Sequence, residues 1–416
     1  MVTRRSMLRA ALLGTAAVGL ATLAGCGEPE VVTETKVETV TAEVPVVTDA
    51  WGVVTVKKGE TVKIGFAAAL SGDLANLGID ERNGATLAVE DNPEIKGFKV
   101  EMLAEDDLCS GEGGTAVANK FAANPQIVGM VGNMCSSSSI PASDIYERAH
   151  IPMISPSTTA VAFTARGLAV SNRVCWNDAI QGAEAAKFVF EKVGAKNAAL
   201  IHDLSPYGKG LVDVFKEAFG KLGGTVLAEE GVTVGDKDFR AVLTTIAAKK
   251  PEIIYFGGFQ TEGALLVAQK NEVGLKDAKF MGADGINSQQ YIDAGGKDAE
   301  GSYSSFADFP TGSEAALAEF RSRYEKRWNV KPQDLGPFHA HAYDAMVVLL
   351  KAVDTASQVT PDGDLLIKRS EINNAIRATK DYKGVSGVIS FLPNGDGGTG
   401  TVAIQIVKDG KWEKVG

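Results

Sequence analysis

The chain has 416 residues, of which 45% are hydrophobic and 23% charged, and its formal net charge at pH 7 is −10. This length predicts two lobes of α/β size rather than one core. The acidic balance, without a basic patch interleaved with aromatic residues, argues against nucleic acid as a partner.

Residues 1–25 are predicted to be a lipoprotein export signal. A basic region with paired arginines precedes an apolar stretch at 10–24, which is too short to span a bilayer comfortably. The stretch ends in Leu-Ala-Gly-Cys, which resembles a bacterial lipobox and implies a lipid on Cys26 after cleavage. A plain secretory signal is the alternative, and the export route stays open between the general and the twin-arginine pathway. We expect the protein in the periplasm or on the outer face of the cytoplasmic membrane, anchored by lipid only.

Residues 26–50 are predicted to be a flexible linker. Thr, Val, Glu and Pro dominate this segment, and the first aromatic residue after it is Trp51. A strand is the alternative, because Val and Thr favour β structure. Residues 53–57 and 61–70 are then predicted to form a hairpin around Lys58-Gly59 that leads into a buried strand.

From there strands and helices alternate, which predicts an α/β fold of two doubly wound parallel-sheet lobes joined by a multi-segment hinge. The first set has predicted strands at 62–70, 99–105, 127–132 and 152–155, with helices at 79–91, 112–123 and 136–149. The second set has strands at 198–202, 225–229, 253–256 and 279–282, with helices at 179–193, 209–222, 239–249 and 261–273. Later elements are helices at 314–328 and 338–355 and strands at 388–391 and 402–407. The expected boundaries are 51–177 plus 308–392 for lobe 1, and 178–307 plus 393–416 for lobe 2.

Three cysteines remain once Cys26 is assigned to lipid. Cys109 and Cys135 each follow a predicted strand or its exit loop, so we predict that they form a disulfide in the oxidising compartment. Such a loop closure could contribute about 3–4 kcal/mol in the chain-entropy model. Cys175 is left as a buried free thiol, and no cysteine spacing is typical of a zinc site.

Candidate ligand-binding residues follow the predicted strands, because ligands of open parallel sheets bind beyond the carboxyl ends of the strands. Ser136 begins a helix whose N–H groups could hold a carboxylate, and the Thr159 hydroxyl could add a donor. Asp284 could neutralise an ammonium group, while Phe259 and Leu77 could supply an apolar wall. This set suits a zwitterion enclosed by lobe closure. Each residue also has an ordinary structural interpretation, such as a helix cap, an Asp-Gly turn or core packing.

The chain resembles the leucine/isoleucine/valine-binding periplasmic proteins, which are amino-acid receptors of ABC importers with the type I periplasmic-binding-protein fold. The resemblance runs from about Val62 to the C-terminus and is weakest after about Ala307. It includes Cys-Ser-Ser-Ser-Ser-Ile-Pro-Ala-Ser-Asp-Ile-Tyr at 135–146. The other matching stretches are 105–109, 116–120, 153–156, 164–167, 202–210, 235–239, 255–258 and 280–282.

The resemblance implies a role for each matching residue. Ser136 and Thr159 correspond to residues that bind the ligand carboxylate. The Ser157 carbonyl and the Thr159 hydroxyl lie where the ammonium is held. Tyr207 matches a tyrosine that reaches the ligand on closure, and Asp284 falls where the family usually has a glutamate facing the ammonium.

Three departures from the family pattern leave the side-chain specificity open. Asp284 is one methylene shorter than the usual glutamate, Phe259 stands where a tyrosine is common, and Leu77 stands where an aromatic residue is common. An amide or a different aliphatic amino acid is therefore an alternative ligand. The resemblance also implies the disulfide between Cys109 and Cys135.

The expected function is that of an extracytoplasmic substrate-binding lipoprotein of an ABC importer. A monomer would capture a branched-chain or similar aliphatic amino acid and deliver it to permease and ATPase subunits, without a cofactor or metal. The alternative is a ligand-sensing receptor domain for an amino acid, an amide or a related small molecule. A hydrolase is not expected, because the chain has no Gly-x-Ser-x-Gly motif and nothing places His202 against a serine. His339 and His341 would diverge on a helix rather than bind one metal ion.

Overall fold

The computed structural model describes residues 47–308, 314–397 and 401–415. The predicted export signal, Cys26 and the linker up to residue 46 lie outside the described residues. Across the described helices, none combines the length and apolar character needed to cross a bilayer.

Strands and helices alternate through most of this region. In chain order the strands are β1 (Val53–Val56), β2 (Val62–Ala68), β3 (Glu94–Ile95), β4 (Phe98–Asp106), β5 (Ile127–Gly132), β6 (Met153–Ser155), β7 (Ser171–Arg173), β8 (Asn197–His202), β9 (Thr225–Gly231), β10 (Ile253–Gly257), β11 (Lys279–Gly282), β12 (Tyr303–Asp308), β13 (Ser357–Val359), β14 (Leu365–Lys368), β15 (Tyr382–Lys383), β16 (Val388–Ile389), β17 (Thr401–Lys408) and β18 (Lys411–Lys414). The helices are α1 (Ala75–Asp91), α2 (Gly111–Ala122), α3 (Ser136–Ala149), α4 (Ala162–Ala165), α5 (Asp178–Phe188), α6 (Pro206–Lys221), α7 (Arg240–Ala247), α8 (Gln260–Lys270), α9 (Gln289–Gly295), α10 (Glu314–Trp328), α11 (Pro332–Leu335), α12 (His339–Thr355) and α13 (Arg369–Ala378).

The first large sheet has the strand order β3-β4-β2-β5-β6-β7, and its strands from β4 to β7 are parallel. The chain passes from β2 to β4 on one side and then returns to β5 on the other, which creates a topological switch point beside β2. Val62, Ile64 and Phe66 of β2 are fully buried, as expected for a parallel strand covered by helices on both faces.

The second large sheet has the strand order β18-β17-β12-β11-β10-β8-β9. Its strands from β9 to β12 are parallel, whereas β17 and β18 are antiparallel additions. The chain passes from β8 to β9 and then back to β10, so this sheet has the same kind of switch point. The predicted fold class, with two doubly wound parallel sheets, is confirmed. The exact limits of the two lobes stay a prediction.

The predicted hairpin between 53–57 and 61–70 is wrong. β1 pairs antiparallel with β14, not with β2, and Val54 and Val56 pack opposite residues of that distant strand. Both edges of β2 are already occupied by its parallel neighbours β4 and β5, so no edge remains for β1.

The start of α6 also differs from the prediction, which began this helix at residue 209. The Ser205 hydroxyl accepts a hydrogen bond from the Gly208 N–H at 2.9 Å, and Pro206 occupies the first helical position. Serine as the cap followed by proline is a common helix start, and it moves Tyr207 into the first turn.

Candidate functional site

A cavity lies where the carboxyl ends of strands from the two sheets approach each other. It includes all of the predicted ligand-binding residues. Its lining residues are Leu77, Asp80, Glu81, Met134, Cys135, Ser136, Ser157, Thr159, Tyr207, Phe259, Asp284, Gly285, Pro337 and Phe338.

Ser136 is the first residue of α3, so it presents both a hydroxyl and helix N-terminal N–H groups to the cavity. Its Oγ accepts a hydrogen bond from the Ala160 N–H at 3.2 Å. Because the hydroxyl acts as an acceptor in that bond, its own hydrogen stays available to a ligand. Together with the helix dipole, this arrangement favours an anionic group in front of α3.

Thr159 lies in a loop whose shape is fixed by a buried arginine. One guanidinium nitrogen of Arg173, Nη1, donates to the Thr158 carbonyl at 2.8 Å and to the Ala160 carbonyl at 2.9 Å. The carbonyls on both sides of Thr159 are thus held by a single side chain. Asp396 binds the same guanidinium through two contacts, at 2.7 Å and 3.1 Å, so the arginine is charge-paired inside the protein.

Ser157 is tied to the neighbouring loop. Its Oγ donates to the Met134 carbonyl at 3.0 Å. Behind it, the hydroxyls of Ser155 and Thr158 both donate to the Asn133 carbonyl, at 2.7 Å and 3.1 Å. This network joins the loop after β6 to the loop that carries Ser136, so the two donor-bearing segments are held as one surface.

Asp284 follows β11 and supplies a carboxylate from the second sheet. The Tyr207 hydroxyl donates to its Oδ1 at 2.9 Å, and Gln181 Nε2 donates to the same oxygen at 2.7 Å. Burial raises the pKa of Asp284 to about 6, while these two hydrogen bonds oppose the rise. None of the described residues that line the cavity is a lysine or an arginine. A ligand cation would therefore find an uncompensated carboxylate here.

The apolar wall is formed by side chains from both halves of the molecule. Leu77 projects from α1, and the Phe259 ring lies 5.3 Å from the ring of Tyr207. Phe338 stacks on Trp176 with ring centroids 6.0 Å apart. This wall can accommodate an aliphatic group beside the charged residues.

Sequence reasoning missed several lining residues. Asp80 and Glu81 follow Leu77 by three and four positions on α1, and that spacing could have indicated a shared helix face. Asp80 is held in place, because its Oδ2 accepts from the His339 N–H at 2.9 Å. Phe338 directly precedes α12, and the predicted assignment of 308–392 to lobe 1 did not specify that this residue would line the cavity.

The predicted disulfide between Cys109 and Cys135 is present, with a Cα–Cα distance of 5.2 Å. It links the exit of β4 to the residue directly before Ser136. Cys175 is free and buried, as predicted. Within the described ranges, no group of three or more His, Cys, Asp or Glu side chains could hold a metal ion.

The three histidines considered in the sequence analysis make hydrogen-bond and packing contacts with neighbouring residues. His202 Nδ1 accepts from the Leu204 N–H at 3.2 Å. His339 Nδ1 lies 3.2 Å from Asp80 Oδ2. The ring of His341 packs at an angle against Trp176, with centroids 5.9 Å apart.

Comparison with known proteins places this arrangement among solute receptors. Residues 61–411 match the model of a family described as periplasmic binding protein. A leucine-, isoleucine-, valine-, threonine- and alanine-binding protein of Pseudomonas aeruginosa is 32% identical over 344 residues, which cover 81% of this chain and 87% of that protein.

Two solved structures extend this similarity to the fold. A leucine-binding protein of Thermotoga maritima superposes with a TM-score of 0.78 and 28% identity, covering 86% of this chain and 98% of the other. The substrate-binding protein of a branched-chain amino acid transporter from Streptococcus pneumoniae, solved with isoleucine, gives a TM-score of 0.75 and 28% identity, covering 86% and 99%.

Proposed function

This chain belongs to the periplasmic binding protein family, and from that membership we propose that it is the substrate-binding protein of an ABC importer for a branched-chain or similar aliphatic amino acid. The observation that carries the proposal is the convergence of Ser136, Thr159 and Asp284 on one cavity. Hydroxyl and N–H donors lie on one side of it and a carboxylate on the other. That pairing matches the two charges of an amino acid.

In the proposed complex the ligand carboxylate faces the N-terminus of α3, where Ser136 and Thr159 donate hydrogen bonds. The ammonium faces Asp284 and the Ser157 carbonyl. Because Asp284 is shorter than a glutamate, the ammonium must sit closer to β11 or reach the carboxylate through a water molecule. Tyr207 orients the Asp284 carboxylate through its 2.9 Å hydrogen bond.

The site is divided between the two halves of the molecule, so we expect the ligand to be captured by closure of the halves. The donors come from loops of the first sheet, and the carboxylate comes from a loop of the second, so neither half alone holds both poles. The two halves meet at the rim, where Asn76 Nδ2 donates to Gln260 Oε1 at 3.1 Å. A ligand that contacts both halves shifts the equilibrium toward the closed form.

The proposal also covers the export, membrane anchoring and partners of the protein. The protein would be exported, anchored through lipid on Cys26, and would act as a monomer that delivers its ligand to permease and ATPase subunits. Its lobes would comprise 51–177 plus 308–392 and 178–307 plus 393–416. The relatives are binding proteins, and we propose no catalytic step.

A thermal-shift screen of the mature protein tests this function. Leucine, isoleucine and valine should raise the Tm, because a ligand at about 1,000 times its Kd adds about 4 kcal/mol to the stability of the folded state. Amino-acid amides and short carboxylic acids, which each lack one charge, should raise it less. A flat response to every amino acid would reject the proposal.

The variant Asp284→Asn extends the test to the site. It keeps the size of the side chain but removes the charge, so amino-acid binding should weaken by roughly 100-fold, the effect of a lost buried ion pair worth about 3 kcal/mol. Asp203→Asn is the matched control: this carboxyl is also buried but lies outside the cavity. Unchanged affinity in Asp284→Asn would remove Asp284 from the site.

A further inference from the structure

Glu81 is a buried carboxyl group in the cavity wall that the roles given above do not use. It lies on α1, one turn after Leu77, and both residues line the cavity. Its side chain is 1% exposed, which equals the exposure of Thr159. The Oε2 atom of Glu81 has no hydrogen-bond partner among the described residues. A buried polar atom without a partner is costly, so the position needs an explanation.

The other two cavity acids are already accounted for. Asp80 accepts hydrogen bonds from the His339 N–H and lies within 3.4 Å of the Tyr324 hydroxyl. Asp284 accepts from Tyr207 and Gln181. Of these three acids, Glu81 is the one with a buried carboxyl oxygen that has no partner among the described residues.

The surroundings of Glu81 indicate which form of the carboxyl is favoured. Burial is the largest effect and favours the neutral acid, whereas the hydrogen bond with Ser157 favours the carboxylate and lowers the pKa. Burial raises the pKa of Glu81 well above its usual value, and the nearby charges of Asp80 and Asp107 raise it further.

A protonated Glu81 can both donate and accept a hydrogen bond. Its Oε2 has no partner among the described residues, and Leu77 and Phe338 line the same cavity. An aliphatic ligand side chain enclosed in the cavity would leave this oxygen unpaired. A hydroxyl or amide group, which can both donate and accept, would supply the missing partner.

Resting on the receptor function proposed above, we propose that Glu81 favours, among small neutral amino acids, one whose side chain carries a hydroxyl or amide group over the aliphatic residue of the same size. The shared chemistry is an O–H or N–H group on a side chain of valine or leucine size. A side-chain carboxylate is excluded, because it would meet Asp80, Glu81 and Asp284 with no lysine or arginine among the described lining residues.

Isothermal titration of the mature protein with two isosteric ligand pairs tests this inference. Threonine is compared with valine, and asparagine with leucine, at pH 7. In at least one pair the polar member should bind roughly tenfold tighter or more, the effect of pairing a buried acceptor. A preference in the first pair identifies a hydroxyl as the recognised group, and a preference in the second identifies an amide.

Two variants tie any such preference to Glu81. Glu81→Leu removes the acceptor and should bring the affinity ratio of that pair to about one or reverse it. Glu81→Gln keeps a donor for Ser157 and an acceptor for the ligand, so it should retain the ratio of the wild type. If Glu81→Leu does not fold, the affinity ratios of the wild type and of Glu81→Gln still test the inference.

The outcomes separate this inference from the function on which it rests. Tight binding of valine and leucine with no gain for threonine or asparagine overturns the role of Glu81 and leaves the receptor function standing. A polar preference that persists in Glu81→Leu also overturns it. Binding of no amino acid at all overturns both proposals.

Discussion

At the scale of single residues, Asp284 sets the pH range in which an amino acid can bind. Its pKa is raised to about 6 by burial, so in the free protein it loses its proton between pH 5 and 7. A bound ammonium favours the charged form and lowers that pKa. Below pH 6 the ligand must therefore displace a proton, whereas above pH 7 the carboxylate is already charged.

We predict that amino-acid affinity is constant above about pH 7 and falls by up to tenfold per pH unit below about pH 6, as linkage requires for one displaced proton. Titration calorimetry between pH 5 and 8 measures this dependence. Ligand binding should release no proton at pH 8 and close to one proton per ligand at pH 5.

Asp284→Asn is the control for this pH profile. Its residual binding should lose the wild-type step near pH 6. The pKa of Asp178, which burial and the charge of Asp284 raise to about 8 in the wild type, should fall in this variant because the second cause is removed. A wild-type profile that stays flat down to pH 5 would contradict the assignment of Asp284 as the partner of the ammonium.

The sequence was sufficient to predict the polar residues at strand ends, because the carboxyl ends of parallel strands meet at one edge. Ser136, Thr159 and Asp284 all follow strands in this way. Glu81 was not predicted, since it lies in the second turn of a helix that reads as an ordinary amphipathic segment. Its importance depends on its burial beside a cavity that residues distant in sequence complete.

At the scale of secondary-structure elements, long buried strands were predictable and short or exposed ones were not. β5 and β10 are continuous apolar runs that identify themselves. β7 contains only Ser, Asn and Arg; it pairs with β6, and the Asn172 side chain donates to the Met153 carbonyl of that strand at 3.0 Å. β1 carries a strand pattern but no information on its partner, and a nearby turn favoured the wrong one.

β7 matters for function because its last residue is Arg173. This guanidinium holds the carbonyls on both sides of Thr159 and pairs with Asp396 in the segment that leads to β17. A lysine in its place has one point charge and cannot make the same fork of contacts. The loop would then lose the geometry that directs Thr159 into the cavity.

We predict that Arg173→Lys weakens amino-acid binding roughly tenfold at temperatures well below its Tm, through loss of about 1–2 kcal/mol of positioning by hydrogen bonds. Arg173→Ala should destabilise the fold by about 3–5 kcal/mol, because it leaves Asp396 buried without its cation. Calorimetry and thermal melts measure the two effects separately.

Arg377→Lys is the matched control for this prediction. Arg377 donates to the Leu168 carbonyl and to the Ser171 carbonyl of β7, and none of its hydrogen bonds to described residues reaches the loop of Thr159. Arg377→Lys should lower the Tm without changing the affinity for the amino acid. Equal losses of affinity in the two lysine variants would show that Arg173 acts through general stability and not by positioning Thr159.

At the scale of the whole molecule, the site exists only where two sheets with the same winding order present their switch points to each other. Rim contacts hold them together in this form: Gln260 Nε2 donates to Asn76 Oδ1 at 2.6 Å and to the Asp73 carbonyl at 3.1 Å. These contacts connect the start of α8 to the start of α1. Neither Asn76 nor Gln260 is among the residues that line the cavity, so their effect is on closure rather than on recognition.

We predict that Gln260→Ala raises koff roughly tenfold and leaves kon within about twofold, because the ligand first meets an open form in which the rim contacts are absent. The Kd should rise in proportion. Trp176, which stacks on the cavity residue Phe338, provides a fluorescence signal for stopped-flow measurement.

Gln289→Ala is the control, since this glutamine binds Asp293 within α9 and does not reach across the cavity. A rise in Kd caused by slower association, or an unchanged koff, would mean that closure does not limit ligand release and that the two halves are held together by the ligand alone.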